Sequence, residues 1–530
     1  MIPTETTEAS PPRDDRHRHV LSRYGFWVIA LLGGLGLRVA LLPLAPLYGY
    51  AWDHDDMVRW GIQAADHGLL TLYDVPAPRH NLRVWQDGEW VVMQRTLDRL
   101  FSYPPLLVYP TYAAGKVHKW LSPERLINTV TSRAVFGAVS ILSDILLAGG
   151  CAALARLLGS ATAGRWAFAL LLFAPPIWWD SSLWGQVDSV VLAPLVWMLW
   201  AMCSGRWHAA GVLFGAALML KPQAIVFLPL WLLTLLTVRP PWRPLLALVV
   251  AALTITVVSL PFTWHGGLTW WRVSYVANLT SHPATTLKAF NLWYADALLH
   301  ETLDVNRRWW DLSMDAWGRA LLSVALIAGF FGIVKRWGRR PDGLVVWSAI
   351  ATLLGVMLPT RVHERYLLMA LPFLIVAATL RRRLVVGFVA LLIVATAQLT
   401  STLWLHTDPG DWEKFVASAR VQHEQTLATL PPAQRLQMPG FDQRIAPARQ
   451  QYLAARAKTA PIEWTLVALA LGGTVAFIGA ALWNDERGKQ TGAAGSGGAI
   501  FRANEATRAR ERATRRRRAP SPEPGGVRVR

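Results

Sequence analysis

Cysteine is nearly absent from this 530-residue chain, with only Cys151 and Cys203 present. Both lie in apolar runs, so the sequence offers neither a disulfide framework nor a cysteine-based metal site. Charge is scarce as well. Asp, Glu, Lys and Arg make up 16% of the residues, against about 25% in soluble domains. Acidic residues are the scarcer kind, 34 against 53 basic ones, and the formal net charge is +19. Much of that excess sits in the C-terminal stretch "TRARERATRRRRAPSPEPGGVRVR". No nucleic-acid recognition fold accompanies it, so nucleic acid is not expected as a partner. The tail reads as a disordered cytoplasmic extension drawn to anionic lipid. Apolar residues, by contrast, reach 53%, with 28 tryptophans and a mean hydropathy of +0.29. Tryptophan gathers at membrane–water interfaces. The composition excludes an ordinary soluble protein and points to an all-α polytopic membrane protein.

A spanning helix needs about 20 mostly apolar residues. Twelve candidate runs appear, several of them short: Tyr24–Pro46, then 131–156, 163–177, 188–204, 208–221, 223–238, 244–262, 317–334, 343–360, 364–380, 384–404 and 461–483. Residues 1–23 are polar and precede a run long enough to span, which argues against a cleaved signal peptide. Alternate connections are short and basic. They carry Arg13, Arg16, Arg18 and Arg23; Arg156 and Arg165; Arg206; Arg239 and Arg243; Lys335, Arg336, Arg339 and Arg340; and Arg381 to Arg383. The positive-inside rule places these, and both termini, in the cytoplasm. The proline-rich stretch 102–121 is not counted, because a span there would put every later basic loop on the wrong face. It reads as an interfacial or re-entrant helix. The expected organisation is a cytoplasmic N-terminus (1–23), a membrane core (24–404) with long outer loops at 47–130 and 263–316, an outer helical segment (405–460), a last span (461–483) and the basic tail (484–530).

Polar residues at membrane depth are costly and need a partner or a task. They collect at the outer ends of the spans. The first group is Asp53, His54, Asp55 and Asp56 in "YGYAWDHDDMVRW". The second is "WWDSSLWGQVDSV", holding Gln186 and Asp188. The third is "LMLKPQA", with Lys221 and Gln223, and the fourth is "LPTRVHERYLLMALPFL", with Arg361, His363, Glu364, Arg365 and Tyr366. Arginine forms bidentate hydrogen bonds to phosphate, and a carboxylate can take the proton of an acceptor hydroxyl. Together these groups suit transfer of a group from a lipid phosphate carrier. Asp144, within the second span, reads as a structural polar contact. The Trp270–Trp271 and Trp309–Trp310 pairs read as interface anchors.

At these motifs the chain resembles the GT-C class of integral-membrane glycosyltransferases, and in particular its bacterial mannosyltransferase-like members and the dolichol-pathway glucosyltransferases. The likeness rests on Asp53 placed seven residues before Trp60, on Tyr103-Pro104-Pro105, and on "SLWGQVDS", "LKPQA", "AFNLW" and "HERYLL" in that order. It extends over roughly residues 25–385; the region after about 405 has no counterpart. The resemblance implies a GT-C-like bundle with a large first outer loop, a polyprenyl-phosphate sugar as donor, and transfer with inversion on the outer face of a bacterial inner membrane. It implies Asp53 as the general base, with Asp55 or Asp56 as a second acidic group or the base itself. It assigns His363, Arg361, Arg365 and Lys221 to the donor phosphate. Glu364, Gln223, Gln186, Asp188, Tyr103 and Trp293 would support the substrate site, and Trp293 would stack on a sugar or pack in its loop.

The acceptor, whether glycan, lipid or protein, is not legible in the sequence, and neither is the identity of the sugar. No cofactor is implied. A divalent metal at Asp53, His54, Asp55 and Asp56 stays open, although adjacent carboxylates on a helix point different ways. A lipid-linked glycan transporter or flippase would share the spans and the cationic outer groups. It would have less use for a long first loop that begins with an acidic base.

Overall fold

A computed structural model describes residues 14–74, 79–86, 89–96, 101–277, 284–337, 340–431, 434 and 439–483. The sequon Asn278-Leu279-Thr280 and the basic tail lie outside the described residues.

The protein is an all-α polytopic membrane protein. Every apolar run read from the sequence forms a helix. Six are long and apolar enough to cross a membrane: Tyr24–Tyr48, Val130–Leu158, Trp242–Gly266, Met314–Trp337, Arg382–Trp404 and Phe441–Leu482. Six more apolar helices are shorter, at 10 to 17 residues: Ala161–Phe173, Asp188–Cys203, Trp207–Leu220, Pro222–Thr237, Pro341–Met357 and Leu371–Leu380. At 1.5 Å per residue these reach only about 15 to 25 Å, short of the roughly 30 Å hydrocarbon core. Broken helices are tolerated at that depth only inside protein, and two of the six lie there. Almost every residue of Pro341–Met357 and Leu371–Leu380 is buried. The outer helices behave oppositely. In Met314–Trp337 only 11% of the apolar window is buried, and Val324, Ile327 and Phe331 stand exposed, as side chains facing lipid do.

Local chemistry sets several breaks. Lys221 is extended (φ −154°, ψ 134°) and ends Trp207–Leu220, because the residue before a proline is pushed out of the helical region. The tenth run, expected to be helical from 364, starts its α-helix only at Leu371. Pro372 sits in the first turn there; it cannot donate the hydrogen bond that an interior position requires. Residues 366–369 form a 3-10 turn instead. At the other end of the chain no break falls at 460. One 42-residue helix, Phe441–Leu482, runs from the segment expected to lie outside into the last span. The rest of that segment contributes the helix Asp411–Thr429.

The first long loop holds the helix Ala51–His67, an antiparallel ribbon pairing Arg79–Gln86 with Glu89–Thr96, and the helix Val108–Leu121. The two helices meet at Gly61 and Gly115, so closely that a Cβ on Gly115 would lie 1.9 Å from the Gly61 carbonyl oxygen. Further on, two-residue strands Thr286–Leu287 and Val362–His363 pair in parallel. They tie the loop before Leu292–His300 to the loop before the buried helix Leu371–Leu380.

Within the membrane core, Arg38 of the first span donates to Asp144 of the second at 2.6 Å, with both side chains fully buried. Ser181 also donates to Asp144, and Arg38 to the carbonyls of Gly34 and Leu172. Asp144 is therefore occupied by structure. Basic side chains gather far from the polar outer groups. Arg336, Arg340 and Arg381 pack around the Trp337 ring at 5.3 to 5.5 Å, while Asp315, at the other end of that helix, contacts Arg361. The 24-residue helix between them spans about 36 Å.

Candidate active site

Asp53 lies in the first turn of Ala51–His67, where the positive end of the helix dipole favours a carboxylate. Each successive residue turns by about 100°, so the acidic cluster disperses. His54 points into the protein against Ser132 at 3.1 Å. Asp55 turns toward Arg59 and Arg133, and burial pushes its carboxyl above the usual range despite those two cations. Neither Asp55 nor Asp56 lines the cleft that Asp53 faces. Among the described residues, no three His, Cys, Asp or Glu side chains are grouped to hold a metal ion.

Asp53 opens on a cleft of about 340 Å³. Its Oδ2 accepts from Trp184 Nε1 at 3.0 Å and from Gln186 Nε2, and lies 3.3 Å from Arg365 Nη1. The segment carrying Trp184 and Gln186 ends a π-type turn at Gly185, whose φ of +81° suits glycine. Tyr103 Oη donates to Gln186 Oε1 at 3.3 Å, which leaves the Gln186 amide aimed at Asp53.

Arg365 is the centre of charge. Besides Asp53 it meets Glu364 Oε1 at 3.2 Å, and its Nε lies 3.7 Å from Asp188 Oδ2. Asp188, buried at the start of its helix, pairs through Oδ1 with buried Lys221. Gln223 donates to Tyr366 Oη at 2.7 Å, and Lys221 sits 5.8 Å from the centre of the Tyr366 ring. Burial alone would lower Arg365, but the three carboxylates hold its guanidinium protonated. Burial alone would raise Glu364; the hydrogen bond from His363 and the charge of Arg365 outweigh it and hold the carboxyl below its usual range.

Two expected site residues lie elsewhere. Arg361, in a left-handed conformation (φ 62°), turns to Asp315 at 3.4 Å, beside the Thr360 hydroxyl on the same oxygen. Trp293 is buried and donates to the Leu358 carbonyl at 2.6 Å. Its "AFNLW" motif is explained by Asn291, whose side chain caps the helix by accepting from the Trp293 and Tyr294 amides. Lys221 joins the network through Asp188 and does not reach the cleft surface. Of the cationic residues expected there, His363 and Arg365 line the cleft.

The third wall was missed by sequence reasoning. Lys288, Asp408 and Lys414 also line the cleft. Lys288 Nζ lies 3.5 Å from Asp408 Oδ2, and its backbone bridges to His363. Burial, helped by Asp411 and opposed by Lys288 and Lys414, pushes the Asp408 carboxyl up to about 6. Lys288 directly precedes the "AFNLW" motif, yet nothing local marks it as different from a loop lysine. Asp408 sits beyond any recognisable motif.

The site is thus one carboxylate and a buried arginine network at a cleft in an apolar helical bundle. Residues 101–363 match the model of Glycosyltransferase family 87. That stretch takes in Tyr103, Gln186, Asp188, Lys221 and His363, but neither Asp53 nor Arg365. Nine chains of solved structures are similar to this one. Among them is ArnT from Cupriavidus metallidurans, in a crystal structure bound to undecaprenyl phosphate. It is 16% identical over 87% of this chain and 77% of that one, with a TM-score of 0.42. No curated protein sequence matches.

Proposed function

We propose that the protein moves a single sugar from a polyprenyl-phosphate donor to an acceptor hydroxyl on the outer face of a bacterial inner membrane. The reading includes a mannosyltransferase-like specificity, inversion at the anomeric carbon, cytoplasmic termini and a membrane core over residues 24–404. The observation that carries it is the contact between Asp53 and Arg365 in one cleft. The three contacts described for Asp53 fall on Oδ2, so Oδ1 is the atom assigned to take the acceptor proton. The acceptor oxygen then attacks the anomeric carbon, the bond from that carbon to the phosphate oxygen breaks, and polyprenyl phosphate leaves. Arg365 and His363 balance the charge that develops on the leaving phosphate. Glu364 orients Arg365 and His363, while Gln186, Trp184 and Tyr103 fix the base. Asp188 and Lys221 hold Arg365 from behind. Holding donor and acceptor in one geometry supplies much of the remaining rate.

The test is transfer by purified protein from a panel of radiolabelled polyprenyl-phosphate sugars. Release of polyprenyl phosphate coupled to sugar transfer supports the reading and names the sugar. Lipid binding without turnover of any donor would instead favour a transporter.

A further inference from the structure

A second cavity, of about 530 Å³, lies on the far side of the helix Leu292–His300 from the cleft. The helix itself divides the two. Tyr294 faces the cleft, while Trp293, Asp296 and His300, spaced i, i+3 and i+7, face the second cavity. Its size falls within the roughly 300–1,000 Å³ of small-molecule sites. Nothing in the proposed transfer step uses it.

Part of the lining is aromatic. Arg308–Trp309 pairs with Leu312–Ser313 in a tight hairpin. Trp310, at its turn, takes a left-handed φ of 51°, an uncommon and strained conformation for a bulky residue. The Trp309 ring stacks on Trp310 at 5.1 Å and lies 5.4 Å from Trp317, whose Nε1 donates to the Trp309 carbonyl. Trp309 remains 57% exposed, so a broad ring is presented without being used up by packing.

Polar groups stand beside that ring. Arg307 Nη2 donates to Asp296 Oδ2, and His300 Nδ1 lies 3.1 Å from Asp296 Oδ1. Arg307 Nε is buried and has no hydrogen-bond partner among the described residues. A simple membrane anchor needs tryptophans at the interface but no paired carboxylate and guanidinium in the same cavity. A flat apolar ring next to fixed donors and acceptors matches a sugar: C–H faces for the indole, and hydroxyls that both give and accept hydrogen bonds. Asp296 offsets Arg307, and Arg308, exposed on the hairpin, adds one positive charge to the lining.

We propose that this cavity binds a saccharide unit of the acceptor, stacked on Trp309 and hydrogen-bonded by Asp296 and Arg307. Calling that saccharide an acceptor rests on the glycosyl-transfer reading; the binding itself does not. The same chemistry would serve a free oligosaccharide or one carried on a lipid.

The experiment is saturation-transfer NMR on the full-length protein in nanodiscs. The probes are neutral mannose, glucose and galactose oligosaccharides, free in one arm and linked to a short prenyl pyrophosphate in the other. Saturable binding of at least one saccharide is expected in either arm. Trp309→Ala and Asp296→Asn should each weaken it tenfold or more, and Trp309→Phe should retain most of it. Thermal unfolding and size-exclusion profiles identify any variant that fails to fold, and Trp317→Ala then stands in for it. Absence of saccharide binding in both arms overturns the proposal, as does binding that well-folded Trp309→Ala and Asp296→Asn proteins retain in full. So does a co-purified phospholipid, seen by native mass spectrometry and lost in Trp309→Ala, in place of any sugar. Saccharide binding by a protein that transfers no sugar would sink the transfer reading and leave the cavity's ligand standing; transfer without such binding would do the reverse.

Discussion

Replacing Asp53 with Asn separates the base from the fold that holds it. The amide keeps the shape of the carboxylate and can still accept from Trp184 or Gln186. What it removes is the proton acceptor and one of three carboxylates around Arg365. Stripping a buried charge of its partner costs about 3–5 kcal/mol. Here Glu364 at 3.2 Å and Asp188 at 3.7 Å remain, so the expected loss of stability is smaller, about 1–2 kcal/mol. Loss of a general base costs roughly 10²- to 10⁴-fold in rate, or about 3–5 kcal/mol of barrier. The two effects therefore separate. Transfer by Asp53→Asn should fall by that factor in kcat, with donor KM changed by less than threefold and the protein still folded. Initial rates at several donor concentrations, with a thermal melt of the same preparation, provide the readout. Full activity in the variant refutes Asp53 as the base. A collapse of donor binding with kcat preserved refutes the division of labour between Asp53 and Arg365.

Three further outcomes follow from the same geometry. Arg365→Gln should raise donor KM tenfold or more, whereas Arg361→Gln, whose side chain is engaged by Asp315, should change it little; donor titrations of both variants decide this. Lys221→Met leaves Asp188 buried with only the more distant Arg365 opposite it, so it should destabilise by about 3 kcal/mol, and adding Asp188→Asn should restore much of the loss in a thermal melt. Asp408 is held up at about 6 by burial, above the usual carboxylate value of about 3.9. The folded state therefore binds that proton more tightly, and stability falls as pH rises from about 4 to 6 and stays lower beyond. Asp408→Asn should raise the melting temperature at pH 7.5, by up to about 3 kcal/mol of stability less the lost contact with Lys288, and change it little at pH 4; equal effects at both pH values would contradict the reasoning.

Some site residues are legible because local chemistry marks them. Gln186 and Asp188 follow a glycine that permits the turn, Lys221 precedes a proline that breaks its helix, and His363 to Arg365 interrupt an apolar run where polar groups are expensive. Others carry no local mark. Arg361 and Arg365 are four residues apart in one motif, yet the parallel pairing of Val362–His363 with Thr286–Leu287 and the left-handed turn at Arg361 send one to Asp315 and the other to Asp53. Trp293, read as stacking on a sugar or packing in its loop, is buried and lines the second cavity instead of the cleft. Lys288 and Asp408 are ordinary loop residues until the fold brings them together beside His363.

The sequence by itself determined the apolar runs, the membrane class and the position of Asp53 after the first span. Hydrophobic length and the cost of burying polar groups are properties of a stretch of chain, and they can be read one stretch at a time. The tertiary structure alone decided which member of the acidic cluster faces the cleft, which arginine meets it, and that two cavities share one helix as their wall. Those outcomes depend on helix rotation and on pairings between segments far apart in the chain: Asp53 with Gln186 and Arg365, and Lys288 with Asp408. No single stretch contains the geometry that fixes them.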